Sequence, residues 1–404
     1  MTQRCDIAVV GGGMNGLTSA LALAREGFSV AMIEREAPAV LSGDGFDGRV
    51  SSIAWGSKLV LDNLGAWEAM IPHAEPILEI RVSDRDAPLF LHYDHRDIGD
   101  HPLGYILENR HIRRALDAAV AAEPRVSVIA PASVAAMAHD SAGADLTLAD
   151  GSTLRCSLVV ACDGFRSGLR AMAGIGHRTI AYGQTGIVCT VEHERPHRGI
   201  AHERFLPAGP FAILPLPGYR SSLVWTEKDA VAQRVLELEP DAFLEEIVLR
   251  FGDFLGGLAV TGPVWSYPLT LVLAHRATAP RLVLVGDAAH RIHPIAGQGY
   301  NLGIRDVAVL AEVLGESRAL GLDPGDAVAL EDYARRRRVD TFSLVAVTDG
   351  LNRLFSNRIG PVALARDLGL GAVERIPPLK RLFMRHAMGT VGRLPKLMRE
   401  TPRP

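Results

Sequence analysis

Apolar and polar positions along the first 36 residues follow a strand–helix–strand pattern. The segment "DIAVVGGG" opens with a continuous apolar run, which is typical of a parallel strand buried on both faces. The segment "NGLTSALALAREG" then places apolar residues at helical spacing and ends at Gly27, and "FSVAMIERE" predicts a second strand. The chain is therefore predicted to begin with a β-α-β unit.

The pattern changes twice further along the chain. Residues 57–70 and 109–122 have helical periodicity, whereas residues 183–274 form strand-like runs separated by proline and glycine, with one helical insert near 227–251. From "RLVLVGDAAH" onward the strand–loop–helix pattern returns, and residues 327–404 are mostly helical. We therefore predict an α/β fold, in which a Rossmann-type nucleotide-binding domain carries an inserted antiparallel-sheet domain and a helical C-terminus.

The predicted domains are discontinuous in sequence. The nucleotide-binding domain takes residues 1–75, 100–182 and 275–340, the substrate-binding sheet domain takes 76–99 and 183–274, and the C-terminal helical segment takes 341–404. Because the chain has no internal repeat and no low-complexity linker, we expect these domains to pack directly on one another.

Composition favours a globular protein, and the cysteine pattern is consistent with a reducing cytoplasm. The 404 residues are 48% hydrophobic and carry a formal net charge of −3. No apolar run approaches the roughly 18 residues of a membrane span. The four cysteines form no C-x-x-C pair, so we predict no metal site and no disulfide framework. The first strand begins at Asp6, which leaves no room for a signal peptide.

A G-x-G-x-x-G pattern, formed by Gly11, Gly13 and Gly16, joins the first strand to the first helix. Gly11 permits the sharp turn, Gly13 lets the backbone approach a pyrophosphate, and Gly16 allows close helix–strand packing. The helix N-terminus offers free N–H groups to the anion. Glu34 ends the next strand, where a carboxylate accepts from ribose hydroxyls and disfavours a 2′-phosphate. These residues predict a site for FAD or NAD; Arg35 is either an adenine-stacking residue or a solvated charge.

Two later segments decide between FAD and NAD. Asp163-Gly164 ends one predicted strand, and Gly286-Asp287 ends another before a glycine-rich turn and a helix. A carboxylate at Asp287 can accept from a ribityl hydroxyl. The N–H groups of residues 297–300 can face the edge of a flavin, where negative charge develops on reduction. Strand-end aspartates that merely cap helices explain either segment alone but not both together. We therefore predict FAD.

Together these motifs resemble those of the class A flavin-dependent monooxygenases, and within them the ubiquinone-biosynthesis hydroxylases. The resemblance rests on the glycine turn, "DGRVSSIAWGSKLVLDNLGAW", "GYILENRHIRRAL", Asp163-Gly164 and "GDAAHRIHPIAGQGYNLGIRD", which span about three-quarters of the chain. It implies an FAD-dependent enzyme in which NAD(P)H is a transient co-substrate and dioxygen supplies the oxygen atom that hydroxylates a polyprenylated phenol. The chain has no second G-x-G-x-x-G for a resident nicotinamide nucleotide, which is consistent with a transient one.

The resemblance also implies which residues hold the cofactor. In addition to the glycine turn, the residues assigned to FAD are Asn15, Glu34, Arg35, Arg49, Arg110, Val134 (through its backbone), Asp163, Asp287, Gly297, Gln298, Gly299 and Asn301. No catalytic residue is assigned firmly. His290 and His293 are candidate bases, although each is more simply a hydrogen-bonded scaffold residue, and Pro294 is a candidate wall of the flavin site.

The C-terminal segment combines positive charge with apolar residues. Residues 375–404 contain eight basic side chains and one acidic side chain, Glu400, interleaved with leucine, methionine and phenylalanine. Such a segment is either a helical cap on the core or a surface that rests on the inner face of the cytoplasmic membrane. A ubiquinone-biosynthesis complex is a further candidate partner. Nucleic acid is not, because aromatic residues are scarce in this segment and the whole chain is acidic.

Three alternative functions remain open from the sequence. The first is the same chemistry on a soluble aromatic compound. The second is a halogenase, which is disfavoured because the four tryptophans stand too far apart for a W-x-W-x-I-P motif. The third is a non-catalytic FAD-binding subunit of a quinone-synthesis complex.

Overall fold

Three β-sheets organise the chain in the computed structural model, which describes residues 3–37, 48–84, 90–292, 297–355 and 373–400. The strands of these residues, in chain order, are β1 (Gln3–Val10), β2 (Val30–Ile33), β3 (Val50–Ala54), β4 (Glu75–Ile77), β5 (Glu79–Asp84), β6 (Phe90–Asp94), β7 (Gly104–Glu108), β8 (Val126–Ile129), β9 (Val134–Asp140), β10 (Gly143–Leu148), β11 (Thr153–Ala161), β12 (His177–His193), β13 (Ile200–Leu206), β14 (Gly209–Leu216), β15 (Arg220–Lys228), β16 (Leu258–Ala274), β17 (Thr278–Ala279), β18 (Leu282–Leu284) and β19 (His290–Arg291). The α-helices are α1 (Met14–Arg25), α2 (Trp55–Asn63), α3 (Asn109–Ala122), α4 (Gly168–Met172), α5 (Asp229–Leu236), α6 (Pro240–Phe251), α7 (Gln298–Ala319), α8 (Ala327–Phe355) and α9 (Pro377–Ala387).

The first sheet is the mainly parallel one that the opening β-α-β pattern predicts. Its strands run in the order β17-β18-β11-β1-β2-β8, and β9 and β10 extend it through β11. Strand β1 pairs in parallel with both β2 and β11, so the carboxyl ends of these strands lie at one edge. Helices α1 and α7 contribute Leu17 and Ile304 to the core that covers one face of this sheet. The ligand site of such a sheet is expected at the carboxyl edge.

The second sheet is largely antiparallel, in the order β19-β16-β12-β15-β14-β13-β5-β6, with one parallel pair between β13 and β5. Its outer face packs on helices α5 and α6 through a cluster that includes Phe211, Trp225 and Ile247. One predicted domain boundary, between residues 182 and 183, falls inside β12, which runs through both domains without a break. The domain limits given above stay a prediction.

A third sheet, β3-β7-β4, joins the two larger sheets. Strand β3 pairs with β7 from Val50 to Ala54, immediately after the predicted cofactor residue Arg49. Gly48 lies against Trp265 of β16, since a Cβ on this glycine would come within 2.7 Å of the indole ring. The small sheet therefore holds the residues around 48–54 between the first sheet and the second.

Two helices differ from their predicted limits for local reasons. The helix predicted at 57–70 is α2, which ends at Asn63 because Gly65 adopts a left-handed φ of +77°. Trp67 continues the apolar pattern as a buried turn residue. The helical insert predicted near 227–251 is two helices, because Pro240 begins α6 at a position where its missing N–H costs nothing. By contrast, α3 covers residues 109–122 as predicted.

The described residues after 327 are mostly helical, as predicted. Helix α8 packs on the first sheet through Tyr333, whose hydroxyl donates to the Leu284 carbonyl oxygen at 3.1 Å. Helix α9 buries Met384 completely but leaves Leu382 and Phe383 exposed by 47% and 42%. Within the described ranges no helix has both the length and the apolar character needed to cross a bilayer.

Candidate functional site

The glycine turn between β1 and α1 has the geometry of a phosphate-binding site. Gly11 has a φ of +102°, and a Cβ on it would lie 2.4 Å from the Cys162 carbonyl oxygen. A Cβ on Gly16 would lie 1.8 Å from the Gly11 carbonyl oxygen, so both positions need glycine. Gly13 is different, because no atom lies within 4 Å of the position its Cβ would occupy. The start of α1 therefore leaves open space beside its N–H groups, where an anion can bind.

A first cavity, of about 420 Å³, lies at the carboxyl edge of the first sheet. We call it the nucleotide cavity because it is lined by predicted nucleotide residues, namely Gly11, Gly13, Glu34, Arg35, Val134 and Asp163. The Glu34 carboxylate accepts from the N–H groups of Gly12 and Glu36. Arg35 is largely exposed and pairs with Glu36 at 3.1 Å. Glu34 is thus held by the turn itself, on the wall of the cavity.

A second cavity, of about 400 Å³, adjoins the first, and Gly13, Cys162 and Gly164 line both. We call it the flavin cavity because it brings together Asn15, Asp287, Gly297 and Gly299 from separate parts of the chain. Its remaining wall comes from the second sheet, through Tyr267, Leu269 and Thr270 of β16. Burial raises the pKa of the Asp287 carboxyl, and His290 and Arg291 oppose that shift.

Several features of these two cavities fit FAD. Asn15 Oδ1 and Asp163 Oδ1 are buried and have no hydrogen-bond partner among the described residues. Such atoms are costly unless a ligand satisfies them, and FAD carries ribityl and ribose hydroxyls that donate. Gly164 and Gly299 have no atom within 4 Å of a Cβ position, so the backbone is open to a ligand there. These residues would hold the cofactor across both cavities.

At the start of α7, Gly297 lines the flavin cavity and Asn301 holds the helix against β3. Gly297 is in the left-handed region, with a φ of +62°, and a Cβ on it would lie 2.9 Å from that of Ser52. Asn301 accepts from the Ala54 N–H at 2.9 Å and donates to the Ser52 carbonyl oxygen at 2.8 Å. Asn301, which we predicted as a cofactor residue, therefore ties α7 to β3. Gln298 forms the first residue of α7.

Of the three predicted cofactor arginines, Arg35 lines the nucleotide cavity, whereas Arg49 and Arg110 are not among the residues that line either cavity. Arg49 is exposed, and its carbonyl oxygen accepts from the Asn109 N–H at 2.9 Å. Arg110 pairs through Nε with the buried Glu108 carboxylate at 2.6 Å. The sequence did not single out Arg113, one helical turn later, which donates to the Gly12 carbonyl oxygen at 2.8 Å. The i, i+3 spacing in "NRHIRR" is the signal that could have found it.

His290 lies behind the flavin cavity and contacts a carboxylate. Its Nε2 is 2.7 Å from Asp306 Oδ2, and both side chains are almost fully buried. The same carboxylate accepts from the Gly286 N–H at 2.9 Å and from Arg337 Nε at 2.5 Å. Burial alone would raise the pKa of Asp306, but His290, Arg337 and the Gly286 N–H lower it to about 2. His293 and Pro294, the other catalytic candidates, lie outside the described residues.

The chain of ion pairs continues from Asp306 to the C-terminal segment. Arg337 also donates to Asp340 at 2.7 Å, and Arg305 donates to the same carboxylate at 2.7 Å. The other two nitrogens of Arg305 donate to the carbonyl oxygens of Gly389 and Val391 at 3.2 and 2.9 Å. The loop that precedes Asp287 is thereby connected to the segment after α9. This connection could not be predicted from the sequence, because the partners lie on different helices.

Known proteins match nearly the whole chain. A model of the FAD binding domain family matches residues 4–339. The chain is 53% identical over 400 residues to "Ubiquinone hydroxylase UbiL" of Rhodospirillum rubrum, which covers 98% of this chain and 93% of that protein. It is 36% identical to the "3-demethoxyubiquinol 3-hydroxylase" of Escherichia coli, over 96% of this chain and 99% of that one.

A solved structure has the same fold. The crystal structure of p-nitrophenol 4-monooxygenase PnpA from Pseudomonas putida superposes with a TM-score of 0.79, over 96% of this chain and 99% of that chain, at 19% identity. At this identity the similarity shows the architecture alone. That architecture is the one the sequence predicted, a Rossmann-type cofactor domain with an attached sheet domain.

Proposed function

Because this chain belongs to the FAD-dependent monooxygenases of the ubiquinone-hydroxylase family, we propose that it hydroxylates the aromatic ring of a polyprenylated phenol in ubiquinone biosynthesis. The observation that carries the proposal is the 53% identity to a ubiquinone hydroxylase over 98% of this chain. The prediction of FAD from Asp163, Asp287 and the 297–299 turn is confirmed by the family match. NAD(P)H donates the electrons and dioxygen supplies the oxygen atom.

The residues of the flavin cavity support this chemistry by position. FAD, once reduced, supplies the activation of dioxygen, which no side chain of the protein can perform. Gly297, Gly299 and Tyr300, at the start of α7, line the cavity, and the free N–H groups of this helix end would stabilise negative charge on a bound ring system. Leu269 and Ile292 line the same cavity with apolar surface and limit the entry of water.

A reconstitution experiment tests the proposal. We expect the purified protein to be yellow and to oxidise NAD(P)H faster when a prenylated phenol is added, with a product that is heavier by one oxygen atom. In cells that lack the protein, the lipid precursor that accumulates should lack one hydroxyl group. Normal ubiquinone in such cells, without a redundant paralogue, would contradict the pathway assignment. An Asp287→Ala variant that still supports hydroxylation in those cells would instead favour the non-catalytic subunit.

We also propose that the C-terminal region rests on an anionic membrane surface. Helix α9 exposes Leu382 and Phe383 next to the basic residues Arg381 and Arg385. Each basic residue near such a surface contributes about 1 kcal/mol to binding. A substrate with a prenyl tail resides in the membrane, so a docked enzyme would reach it directly. Co-sedimentation with vesicles that contain anionic lipid, compared with neutral vesicles, tests this surface, and equal binding to both would contradict it.

A further inference from the structure

The second sheet has an inner face that is turned toward the cofactor. Side chains at alternate positions of its strands point to opposite faces. Phe211, Trp225 and their neighbours on the outer face pack against α5 and α6. On the inner face Tyr267 lines the flavin cavity, and Trp265 lies against Gly48. The inner face is therefore the side of the sheet on which a substrate would meet the cofactor.

Glu203 lies on this inner face, in the middle of β13. Its neighbours His202 and Arg204 point outward, since the His202 ring contacts Phe254 and Arg204 donates to the Arg250 carbonyl oxygen at 2.5 Å. Glu203 pairs in register with Ala212 of β14 and Val82 of β5. Only 8% of its surface is accessible. Glu203 is thus flanked on the neighbouring strands by small or apolar residues.

No other described residue forms a hydrogen bond or ion pair with the Glu203 carboxyl group. Burial alone raises its pKa to about 7, and no partner opposes that shift. An ionisable group enclosed without a partner is costly, and proteins usually pair such groups or leave them at the surface. A buried carboxyl group without a partner therefore indicates that a ligand supplies the missing hydrogen bond.

The same face carries three more polar groups without partners. The hydroxyls of Thr190, Ser222 and Thr226 are buried and make no hydrogen bond within the described part of the chain. They lie on β12 and β15, and Ser222 is opposite Thr190 in the register of these strands. Thr226 is opposite Gly186, which in turn is opposite Tyr267 of the flavin cavity. Unsatisfied polar groups therefore extend across the inner face from the flavin cavity toward Glu203.

We propose that Glu203 is the residue that binds the ring hydroxyl of the aromatic substrate, on the inner face of the second sheet. The inference rests on the proposed function, because it takes the substrate to be a phenol. The phenol O–H donates a hydrogen bond to a carboxylate oxygen of Glu203, which gives this buried carboxylate the partner that it lacks among the described residues. A hydrogen bond to an ionised acceptor is about twice as strong as a neutral one. It also leaves more electron density on the ring, which favours oxygen transfer to it.

The proposal predicts selectivity for a free hydroxyl. An O-methyl ether has the same ring and tail but no proton to donate, so the carboxylate would stay unpaired beside it. We expect the wild-type holoprotein to bind 2-prenylphenol, with a single five-carbon prenyl unit, at least about tenfold more tightly than its methyl ether. Binding is followed by the change in flavin absorbance, and FAD content is measured in each sample.

Substitution of Glu203 separates binding through this residue from general damage. In Glu203→Gln, whose amide can donate to the ether oxygen, we expect the two ligands to bind within about threefold of each other while FAD content stays at the wild-type level. Glu203→Asp keeps a carboxylate and should retain part of the selectivity, so it serves if the glutamine variant fails to fold. Glu192→Gln removes an exposed carboxylate from the same sheet and should leave the selectivity unchanged.

Failure of the inference is distinguishable from failure of the proposed function. If the wild type binds and hydroxylates 2-prenylphenol but Glu203→Gln keeps the full preference over the ether, the role of Glu203 is overturned and the proposed function stands. The role of Glu203 is also overturned, and the proposed function still stands, if the wild type hydroxylates 2-prenylphenol but prefers the ether or binds both ligands equally. If the wild type neither binds nor oxidises any prenylated phenol, both proposals fall.

Discussion

Asp306 and Glu203 are both buried carboxyl groups, yet the protein treats them in opposite ways. Asp306 accepts from a backbone N–H and contacts His290 and Arg337, and these partners lower its pKa to about 2 despite burial. Glu203 has no partner among the described residues, and burial raises its pKa to about 7. One carboxylate is a permanent ion, and the other changes its charge near neutrality.

The presence or absence of partners distinguishes a residue that stabilises the site from a residue that is available to bind a ligand. The partners of Asp306 come from the loop before Asp287, from β19 and from α8, so its charge fixes the wall of the flavin cavity. Glu203 holds no other residue in place, since no hydrogen bond or ion pair joins its carboxyl group to the described residues. A buried charge with all its partners supports structure, whereas one without them is a site for something that the protein itself does not contain.

The largest effect is expected for Asp306→Ala. Arg337 keeps Asp340 but loses the buried Asp306 carboxylate, and His290 is left buried without that partner, which together costs about 3–5 kcal/mol of the free energy of unfolding. Because the Gly286 N–H also loses its acceptor, we expect FAD occupancy of the purified protein to fall as well. Thermal unfolding and the ratio of flavin to protein absorbance measure the two effects.

A surface ion pair provides the control for this substitution. Glu246 pairs with Arg250 at i, i+4 spacing on α6 and is 36% exposed. Glu246→Gln should cost only about 0.3–0.5 kcal/mol and leave FAD bound. If the two substitutions had equal effects on stability and FAD occupancy, the buried partners of Asp306 would contribute no more than those of a surface ion pair.

Glu203→Gln should have the opposite sign from Asp306→Ala in mildly alkaline buffer. The folded pKa of Glu203 lies above the ordinary value of 4.5, so its contribution to stability is present below pH 4.5 and is lost as pH rises toward 7. That difference in pKa corresponds to about 3 kcal/mol. The glutamine variant has no carboxyl to ionise at this position. Between pH 4.5 and 8 the free energy of unfolding of the variant should therefore rise by about 3 kcal/mol relative to that of the wild type.

The measurement is the thermal midpoint of both proteins at pH 5 and pH 8. A variant that gains stability while it loses the preference for a free phenol would mark Glu203 as a residue kept for function at the expense of stability. If the difference in thermal midpoint between the two proteins does not change with pH, the Glu203 carboxyl is already ionised and hydrogen-bonded. The contrast between Glu203 and Asp306 would then be wrong.

The cofactor side of this molecule is easier to predict from the sequence than the substrate side. Gly11, Gly13, Gly16 and Glu34 are close in sequence, and the turn chemistry that places them is local. Asp163 and Asp287 could be joined to them because the carboxyl ends of parallel strands share an edge. The local pattern also gave the limits of α3, while Gly65 and Pro240 changed the ends of helices through backbone effects that apolar periodicity does not register.

The roles of Asp306 and Glu203 could not be predicted from the sequence, for two different physical reasons. Arg337 is 31 residues from Asp306, on the next long helix, so the pairing depends on how α7 and α8 pack. In β13, the sequence "HER" places polar residues on both faces of the strand, so alternation alone cannot tell which one is buried. Only the register with β14 and β5 shows that Glu203 faces inward.

Apart from the Glu246 control, the smallest expected effect concerns Arg305, which connects the Asp306 network to the C-terminal segment. Arg305→Lys keeps the charge near Asp340 but cannot also reach the carbonyl oxygens of Gly389 and Val391, because an ammonium lacks the planar fork of a guanidinium. We expect a cost of about 1–2 kcal/mol and faster proteolysis after α9, with FAD retained because Asp306 keeps its own three partners. Limited proteolysis followed by mass spectrometry, together with flavin absorbance, checks both parts. If FAD were lost along with the segment, the network would act as one unit, and the carboxylate of Asp306 would depend on the C-terminus as much as on His290 and Arg337.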